Sequence, residues 1–235
     1  MNGSRGARAI EPLRWPADAE LTLPGSKSEA NRLLVVAALS GQRVRIVGAT
    51  PSDDVRHLVA GLATMGFLAR FLDEERGIVE VGPRSLLAPT GGELFCGNAG
   101  TALRFLVSVA ALTPGDWVVT GDADLQRRPI GPLVAAWQQL GVAIIDTDGR
   151  PPVRVRGGHR TGGEVSLDAS VSSQFVSSLL LVGARLTTEL DIRLTGPLAS
   201  AQYAHLTLAT LARCNVQAMA IADQRFVVRV FFVII

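Results

Sequence analysis

Three times along the chain a turn of small polar residues gives way to a long apolar run: GSKSEANRLLVVAALS, GNAGTALRFLVSVAALT and SVSSQFVSSLLLVGARL. The turns recur roughly every 72 to 75 residues, which marks an internal repeat. A second series keeps phase with the first. RVRIVGATPSDDVRHLVAGLATMGF, DWVVTGDADLQRRPIGPLVAAWQQLGV and ELDIRLTGPLASAQYAHLTLATLARCNV each predict a strand, a glycine-containing turn and an amphipathic helix with apolar residues three to four apart. Two further extended stretches close each copy: FLARFL and GIVEVG, VAIIDT and PVRVRG, VQAMAI and FVVRVF.

Each unit therefore reads β-α-β-α-β-β. Such units cannot bury their helix faces singly, so the pattern predicts an α/β fold of three β-α-β-α-β-β repeats packed around a shared helical core, with the sheets outside. The repeats fall at about 21–91, 92–163 and 164–235, together forming one domain over 21–235, and residues 1–20 stand outside the pattern. The final FFVII would be an unprotected apolar strand edge unless something covers it, and it reads as a truncated end.

Composition adds mainly exclusions. A chain of 235 residues that is 48% hydrophobic and 19% charged can build a sizeable core. Its net charge of +2 advertises neither nucleic acid nor an anionic membrane, so any basic site must come from local clustering. Cys96 and Cys214 lie far apart, without CxxC spacing or a histidine cluster, which indicates neither a disulfide framework nor a zinc site. The amino terminus lacks the apolar stretch of a signal peptide, and runs such as LLVVAAL are too short to span a bilayer; a cytoplasmic setting is expected.

The stretch LPGSKSEANR invites comparison with a nucleotide-binding P-loop, but that loop needs G-x-x-x-x-G-K-[ST] so that successive amides can wrap phosphates. Here Ser26 precedes Lys27, and the place of the first glycine holds Leu21. The comparison fails twice. What survives is a more general anion site, because a small-residue turn entering a helix leaves free N–H groups and the positive dipole end facing outward. One turn of this kind is more often a plain helix cap. Three in phase, one carrying two cations, point to a shared ligand. The first supplies Lys27, Ser28 and Arg32, the second Asn98, Gly100 and Thr101, and the third Ser172, Ser173 and Gln174.

Taken together, LPGSKS-x-x-NR, GNAGTALR, QRRPIGPL, SVSSQF and the Ser-x-x-Tyr of SAQY resemble, in order and spacing, the 5-enolpyruvylshikimate-3-phosphate synthase family, the 3-phosphoshikimate 1-carboxyvinyltransferases. The resemblance runs from about residue 20 to about residue 215. It implies an inside-out, barrel-like fold of two domains and six repeats, of which this chain holds one domain's worth, preceded at 1–20 by a strand that the family lends to the other domain. The reaction it implies is transfer of the enolpyruvyl group from phosphoenolpyruvate to the 5-hydroxyl of shikimate 3-phosphate, on the way to chorismate and the aromatic amino acids. Both substrates carry a phosphate and a carboxylate, so a site joining them needs fixed positive groups.

Position by position, the resemblance assigns shikimate 3-phosphate to Lys27, Ser28, Arg32, Ser172, Ser173, Gln174, Ser200 and Tyr203, with Arg32 at the carboxylate and the serines of the third unit about the phosphate. It assigns phosphoenolpyruvate to Lys27, Asn98, Gly100, Thr101, Arg128 and Gln174, and leaves Lys27 as the candidate proton carrier. Arg104 reads as structural and Arg127 as solvent-facing. No metal or organic cofactor is implied, nor any nucleic acid or membrane partner. The family's second domain supplies further carboxylates, a lysine, arginines and a histidine, so the expected alternatives are an active transferase, working through an unusual compact site, by self-association or with a complementing second half, and a non-catalytic domain that only binds. UDP-N-acetylglucosamine enolpyruvyl transferases share the fold, but they have Lys-Asn where this chain has Lys27-Ser28 and use a cysteine in a mobile loop. Cys96 sits beside the second turn and reads as a small buried hydrophobe.

Overall fold

The computed structural model describes residues 23–222 and 224–229, and the segments 1–20 and FFVII considered above lie outside these. The first unit holds helix α1 (Lys27–Ser40), strand β1 (Val44–Ile46), helix α2 (Asp53–Thr64) and strands β2 (Phe67–Asp73) and β3 (Ile78–Arg84). The second holds β4 (Gly91–Phe95), α3 (Gly100–Leu112), β5 (Gly115–Thr120), α4 (Gly131–Gln139), β6 (Ala143–Thr147) and β7 (Arg150–Gly157), with a short 3₁₀ turn at Leu125–Arg127. The third holds β8 (Gly163–Leu167), α5 (Gln174–Gly183), β9 (Leu190–Leu194), α6 (Ala201–Arg213), β10 (Ala218–Ala220) and β11 (Arg225–Val228).

Each unit folds its strands in the same way. The second sheet runs β4-β5-β7-β6 and the third β8-β9-β11-β10, with β4 parallel to β5 and β8 parallel to β9, and the remaining neighbours antiparallel. The first sheet repeats the last three places as β1-β3-β2. The parallel pairs are joined through a helix and the antiparallel hairpins by short turns, as the two kinds of pairing require.

Helices α1, α3 and α5 touch one another at the centre. Every residue of α3 is buried except Thr101, and α5 is buried from Phe175 to Gly183. These segments, FLVSVAAL and FVSSLLLVG, are not strong helix formers by themselves, since β-branched residues lose rotamer freedom in a helix. Packing decides the matter, because each fully buried Leu, Val or Phe contributes about 1.5–3 kcal/mol. The serines in this core pair with one another: Ser108 and Ser178 lie 2.6 Å apart, and the buried Trp137 ring donates to Ser108 Oγ at 2.9 Å. The outer helices α2, α4 and α6 are amphipathic; α2 rests on α1 and α3, and α6 on α1 and α5. α3 and α5 each follow the first strand of their sheet in the same sense, and the amino ends of α1, α3 and α5 emerge at the same end of the domain. No helix among the described residues is long and apolar enough to cross a membrane.

Candidate anion-binding site

At that end lies a cavity of about 250 Å³ lined by Lys27, Ser28, Arg32, Thr101, Val171, Ser172, Ser173, Gln174, Ser200 and Tyr203. It draws on all three units. Residues from the amino ends of four helices, α1, α3, α5 and α6, meet there although the first and last are far apart in sequence. Each such end carries about half a positive charge from its unpaired N–H groups.

The caps show which groups are spoken for. Of these four helices only α1 has an ordinary side-chain cap, Ser26 Oγ accepting from Glu29 N at 3.3 Å. The residues flanking α3, α5 and α6 at the same place, Ala99, Ser173 and Ser200, make no side-chain cap bond. Ser172 Oγ accepts a long bond from Gln174 N at 3.3 Å, and no hydrogen bond within the described residues engages the hydroxyls of Ser28, Ser173, Ser200 or Tyr203. Small polar residues at a helix start would normally cap it. Here they are left free beside a cavity. Ser200 in addition sits in the left-handed region, φ 49°, a conformation that costs a non-glycine residue about 1 kcal/mol or more.

Arg32 forms the floor. Its side chain is almost wholly buried, and its Nε donates to Thr207 Oγ1 at 2.8 Å, Nη1 to the Ser28 carbonyl at 2.7 Å, and Nη2 to Ser177 Oγ at 3.2 Å and the Tyr203 carbonyl at 2.9 Å. The guanidinium also lies near the rings of Phe105 and Tyr203, 5.7 and 5.9 Å from their centroids. Burial draws its pKa down to about 10, against the smaller opposing pull of Tyr203. A guanidinium has five N–H donors, so one Nη1–H remains for a ligand.

Lys27 stands at the rim, its Nζ 3.1 Å from Asp54 Oδ2. The other oxygen of Asp54 accepts from Thr101 N at 3.3 Å, so this carboxylate from α2 also caps α3. Asp54 escaped the sequence reading because an acidic residue in the first turn of a helix is ordinary. Only the fold shows that it ties the first turn of unit one to that of unit two.

A second cluster adjoins the cavity. Arg128 Nη2 donates to Asn98 Oδ1 at 2.6 Å, and the guanidinium reaches across Gly100, where an added Cβ would stand 2.8 Å from Nη1 of both Arg104 and Arg128. Gln174 joins cluster to cavity, its Nε2 donating to Thr101 Oγ1 at 3.2 Å and its Oε1 accepting from Arg104 Nη1 at 2.9 Å. Arg104 is buried, with further bonds to the carbonyls of Gly100 at 3.1 Å and Pro129 at 3.0 Å and its guanidinium over the ring of Phe175. Its pKa falls to about 10, through burial first and the nearby charge of Arg128 second. It fastens loops of the second and third units together. Arg127 points outward and pairs with Asp124. Cys96 is fully buried beside the second turn, where burial, aided by Asp54, pushes its thiol up to about 12 and removes it from nucleophilic chemistry.

The profile of the family described as EPSP synthase (3-phosphoshikimate 1-carboxyvinyltransferase) fits residues 14–229. The chain belongs to the EPSP synthase family. Among relatives, the 3-phosphoshikimate 1-carboxyvinyltransferase of Pectobacterium carotovorum is 40% identical over 225 residues, 93% of this chain and 51% of the relative. Those of Pseudomonas syringae pv. tomato and Sulfurovum sp. are 40% and 36% identical, covering 91% and 94% of this chain and 51% and 52% of their own length. The EPSP synthase structure from Acinetobacter baumannii superposes with a TM-score of 0.74 at 24% identity, over 89% of this chain and 46% of that one, a likeness of fold. The chain thus spans about half the length of the EPSP synthases it matches.

Proposed function

We propose that this chain is the shikimate-3-phosphate-binding half of an enolpyruvyl transferase, with that substrate in the 250 Å³ cavity and phosphoenolpyruvate at the adjoining Arg128 cluster. One observation carries the reading: three unbonded serine hydroxyls and a tyrosine hydroxyl surround a cavity at four converging helix starts, above a buried guanidinium. Phosphate and carboxylate are the groups that such donors suit. Ser172, Ser173 and Ser200 would take the phosphate, Ser28 and the spare Arg32 N–H the carboxylate, and Gln174 and Tyr203 the ring. Asn98, Gly100, Thr101 and Arg128, with Lys27 and Gln174 shared between the two substrates, would hold phosphoenolpyruvate.

Bringing two polyanions together is the main electrostatic task, and fixed donors perform it without reorganising during the reaction. Addition bonds the 5-hydroxyl oxygen to C2 of phosphoenolpyruvate, the hydroxyl proton leaving as C3 gains one. Elimination then breaks the bond from C2 to the phosphate oxygen while C3 gives up a proton, leaving the enolpyruvyl ether and free phosphate. Lys27 is the only lysine in the chain and the group this half offers for moving those protons. Its ion pair with Asp54 provides a place for the proton to come from or go to.

A second reading is binding of shikimate 3-phosphate without turnover, the remaining groups belonging to a complementing domain or a second copy: besides Lys27 the described lining of the cavity offers hydroxyls, an amide and the buried Arg32. Calorimetric titration of shikimate 3-phosphate into wild type and Ser173→Ala tests the binding claim common to both, and equal affinity of the two proteins would reject it. Phosphate release with both substrates, in wild type and Arg128→Ala, then separates the readings. Release abolished by the substitution supports the transferase, and no substrate-dependent release leaves the binding domain.

A further inference from the structure

The helix ends opposite the anion site meet at a second cavity, of about 240 Å³, where α1 closes at Leu39 and Gly41 and α3 at Leu112 and Thr113. Its lining combines apolar side chains, Leu39, Phe67 and Leu112 among them, with three arginines, Arg84, Arg160 and Arg185. Each unit supplies one of these: Arg84 ends β3, Arg160 lies between β7 and β8, and Arg185 follows α5. At 1.5 Å of rise per residue, the 14 residues of α1 put this cavity roughly 20 Å from the first. The two cavities share no residue.

Cations near the carboxyl end of a helix commonly serve its last carbonyls. Here other groups engage them. At α3 the carbonyls of Val109 and Ala110 accept from Thr113 N at 3.0 and 3.1 Å, and that of Ala111 from Gly158 N at 3.1 Å and His159 N at 3.0 Å. At α5 the carbonyls of Val182 and Gly183 accept from Arg185 N and Leu186 N at 3.0 and 3.1 Å. Of the three guanidiniums only Arg84 bonds carbonyls, those of Met65 and Pro89. The guanidiniums of Arg160 and Arg185 make no hydrogen bond or ion pair among the described residues. Their loops are nonetheless laced together, Thr187 N and Oγ1 donating to the Arg160 carbonyl at 2.6 and 3.0 Å. Burial and, after it, the charge of Arg185 lower the pKa of Arg160. Two like charges are thus held near each other, and a shared anion is the group that relieves them.

We propose that this cavity binds a small organic phosphate, with the oxyanion among the guanidiniums of Arg84, Arg160 and Arg185 and the apolar body against Leu39, Phe67 and Leu112. Guanidinium forks match phosphate oxygens in both geometry and charge. The apolar part of the lining selects an organic molecule, since an inorganic ion would leave that part of the cavity unfilled. This site is separate from the anion site at the helix starts and does not depend on the function proposed for it.

Titration of the whole chain with phenyl phosphate and with inorganic phosphate, followed residue by residue in ¹H–¹⁵N spectra, tests this. Saturating shifts are expected at Gly41, Thr113, Arg160 and Arg185, with phenyl phosphate bound about tenfold more tightly than inorganic phosphate. Shifts confined to Ser28, Ser173 and Ser200 would assign the anion to the other cavity alone, saturation at neither would remove the site, and equal affinity for the two probes would remove its organic part; each overturns the proposal. Arg160→Gln and Arg185→Gln alter exposed side chains, so the fold should persist while phenyl phosphate binding weakens about tenfold in each. Arg229→Gln is the control, an exposed arginine outside the cavity that pairs with Glu189, and should leave binding unchanged. No weakening in the first two variants, or equal weakening in the third, would replace the site with a diffuse cationic surface.

Discussion

Arg32→Lys is the substitution that most directly tests how the cavity floor is built. The guanidinium makes four hydrogen bonds, to Thr207, Ser28, Ser177 and Tyr203, and is flanked by two aromatic rings. An ammonium keeps the charge but has one donor atom, so it can reach about two of those four acceptors at once. Thr207 Oγ1 and Ser177 Oγ already bond each other at 2.8 Å, which softens the loss on that side. Two lost bonds to a charged group, at about 1.5 kcal/mol each, give a destabilisation of about 3 kcal/mol. For a chain of this size that lowers Tm by roughly 6 to 12 °C. Urea and thermal unfolding followed by circular dichroism, at a pH near neutrality, measure both quantities. A variant as stable as wild type that has merely lost affinity for shikimate 3-phosphate would refute the reasoning, because Arg32 would then serve the ligand alone and the bonds seen here would contribute nothing to folding.

Three further outcomes follow from other parts of the structure. Gly100→Ala places a methyl group 2.8 Å from the guanidinium nitrogens of Arg104 and Arg128; the buried Arg104 is held by three bonds, so the exposed Arg128 is the one displaced, and phosphoenolpyruvate binding measured by titration should weaken roughly tenfold with little change in Tm. Of the two thiols, only the exposed Cys214 should react with an aromatic disulfide reagent at pH 8 in the folded protein, Cys96 becoming reactive only in denaturant; rapid modification of both would contradict the burial that pushes Cys96 up to about 12. Asp191 is held below its ordinary 3.8, chiefly by its hydrogen bonds to Arg225. A depressed carboxyl contributes stability that is fully present above 3.8 and disappears as pH falls through the lower value of the folded state. Asp191→Asn should therefore flatten the acid limb of stability below about pH 4 and leave its shape above about pH 5 unchanged, as unfolding midpoints in urea across that range would show.

The sequence showed the site's entrance better than its foundations. Lys27, Ser28, Arg32, Ser172, Ser173, Gln174, Ser200 and Tyr203 line one cavity with Thr101, and Asn98, Gly100 and Arg128 lie beside it. They were legible because most sit at a small-residue turn before an apolar helix, and a repeat of fixed sense brings such turns to one end. Asp54 was not legible, since acids at helix starts are common and nothing local says that this one spans two units. Nor were the partners of Arg32. Thr207 and Ser177 lie on two different helices, and only the crossing of those helices places both hydroxyls against one guanidinium. Arg104 could be read as structural from its place on α3, but its bonds to Pro129 and Gln174 depend on loops converging from the second and third units. Periodicity reports which way a residue faces along its own element, whereas contacts between elements are decided by packing.

The convergence of three repeats on one cavity has a consequence for how such a protein can diversify. A place shared by three like walls would, if the walls stayed identical, suit a molecule with threefold symmetry. The ring proposed above, with one carboxylate and one phosphate, is lopsided, and the turns differ in the same sense: ammonium and guanidinium in one, amide and glycine in the next, paired hydroxyls in the last. Their interior helices faced no such demand and kept a common apolar character. A threefold repeat can thus line a single cavity whose handedness lies in the differences among its three turns, and making any one turn resemble its siblings should blur discrimination before it harms the fold.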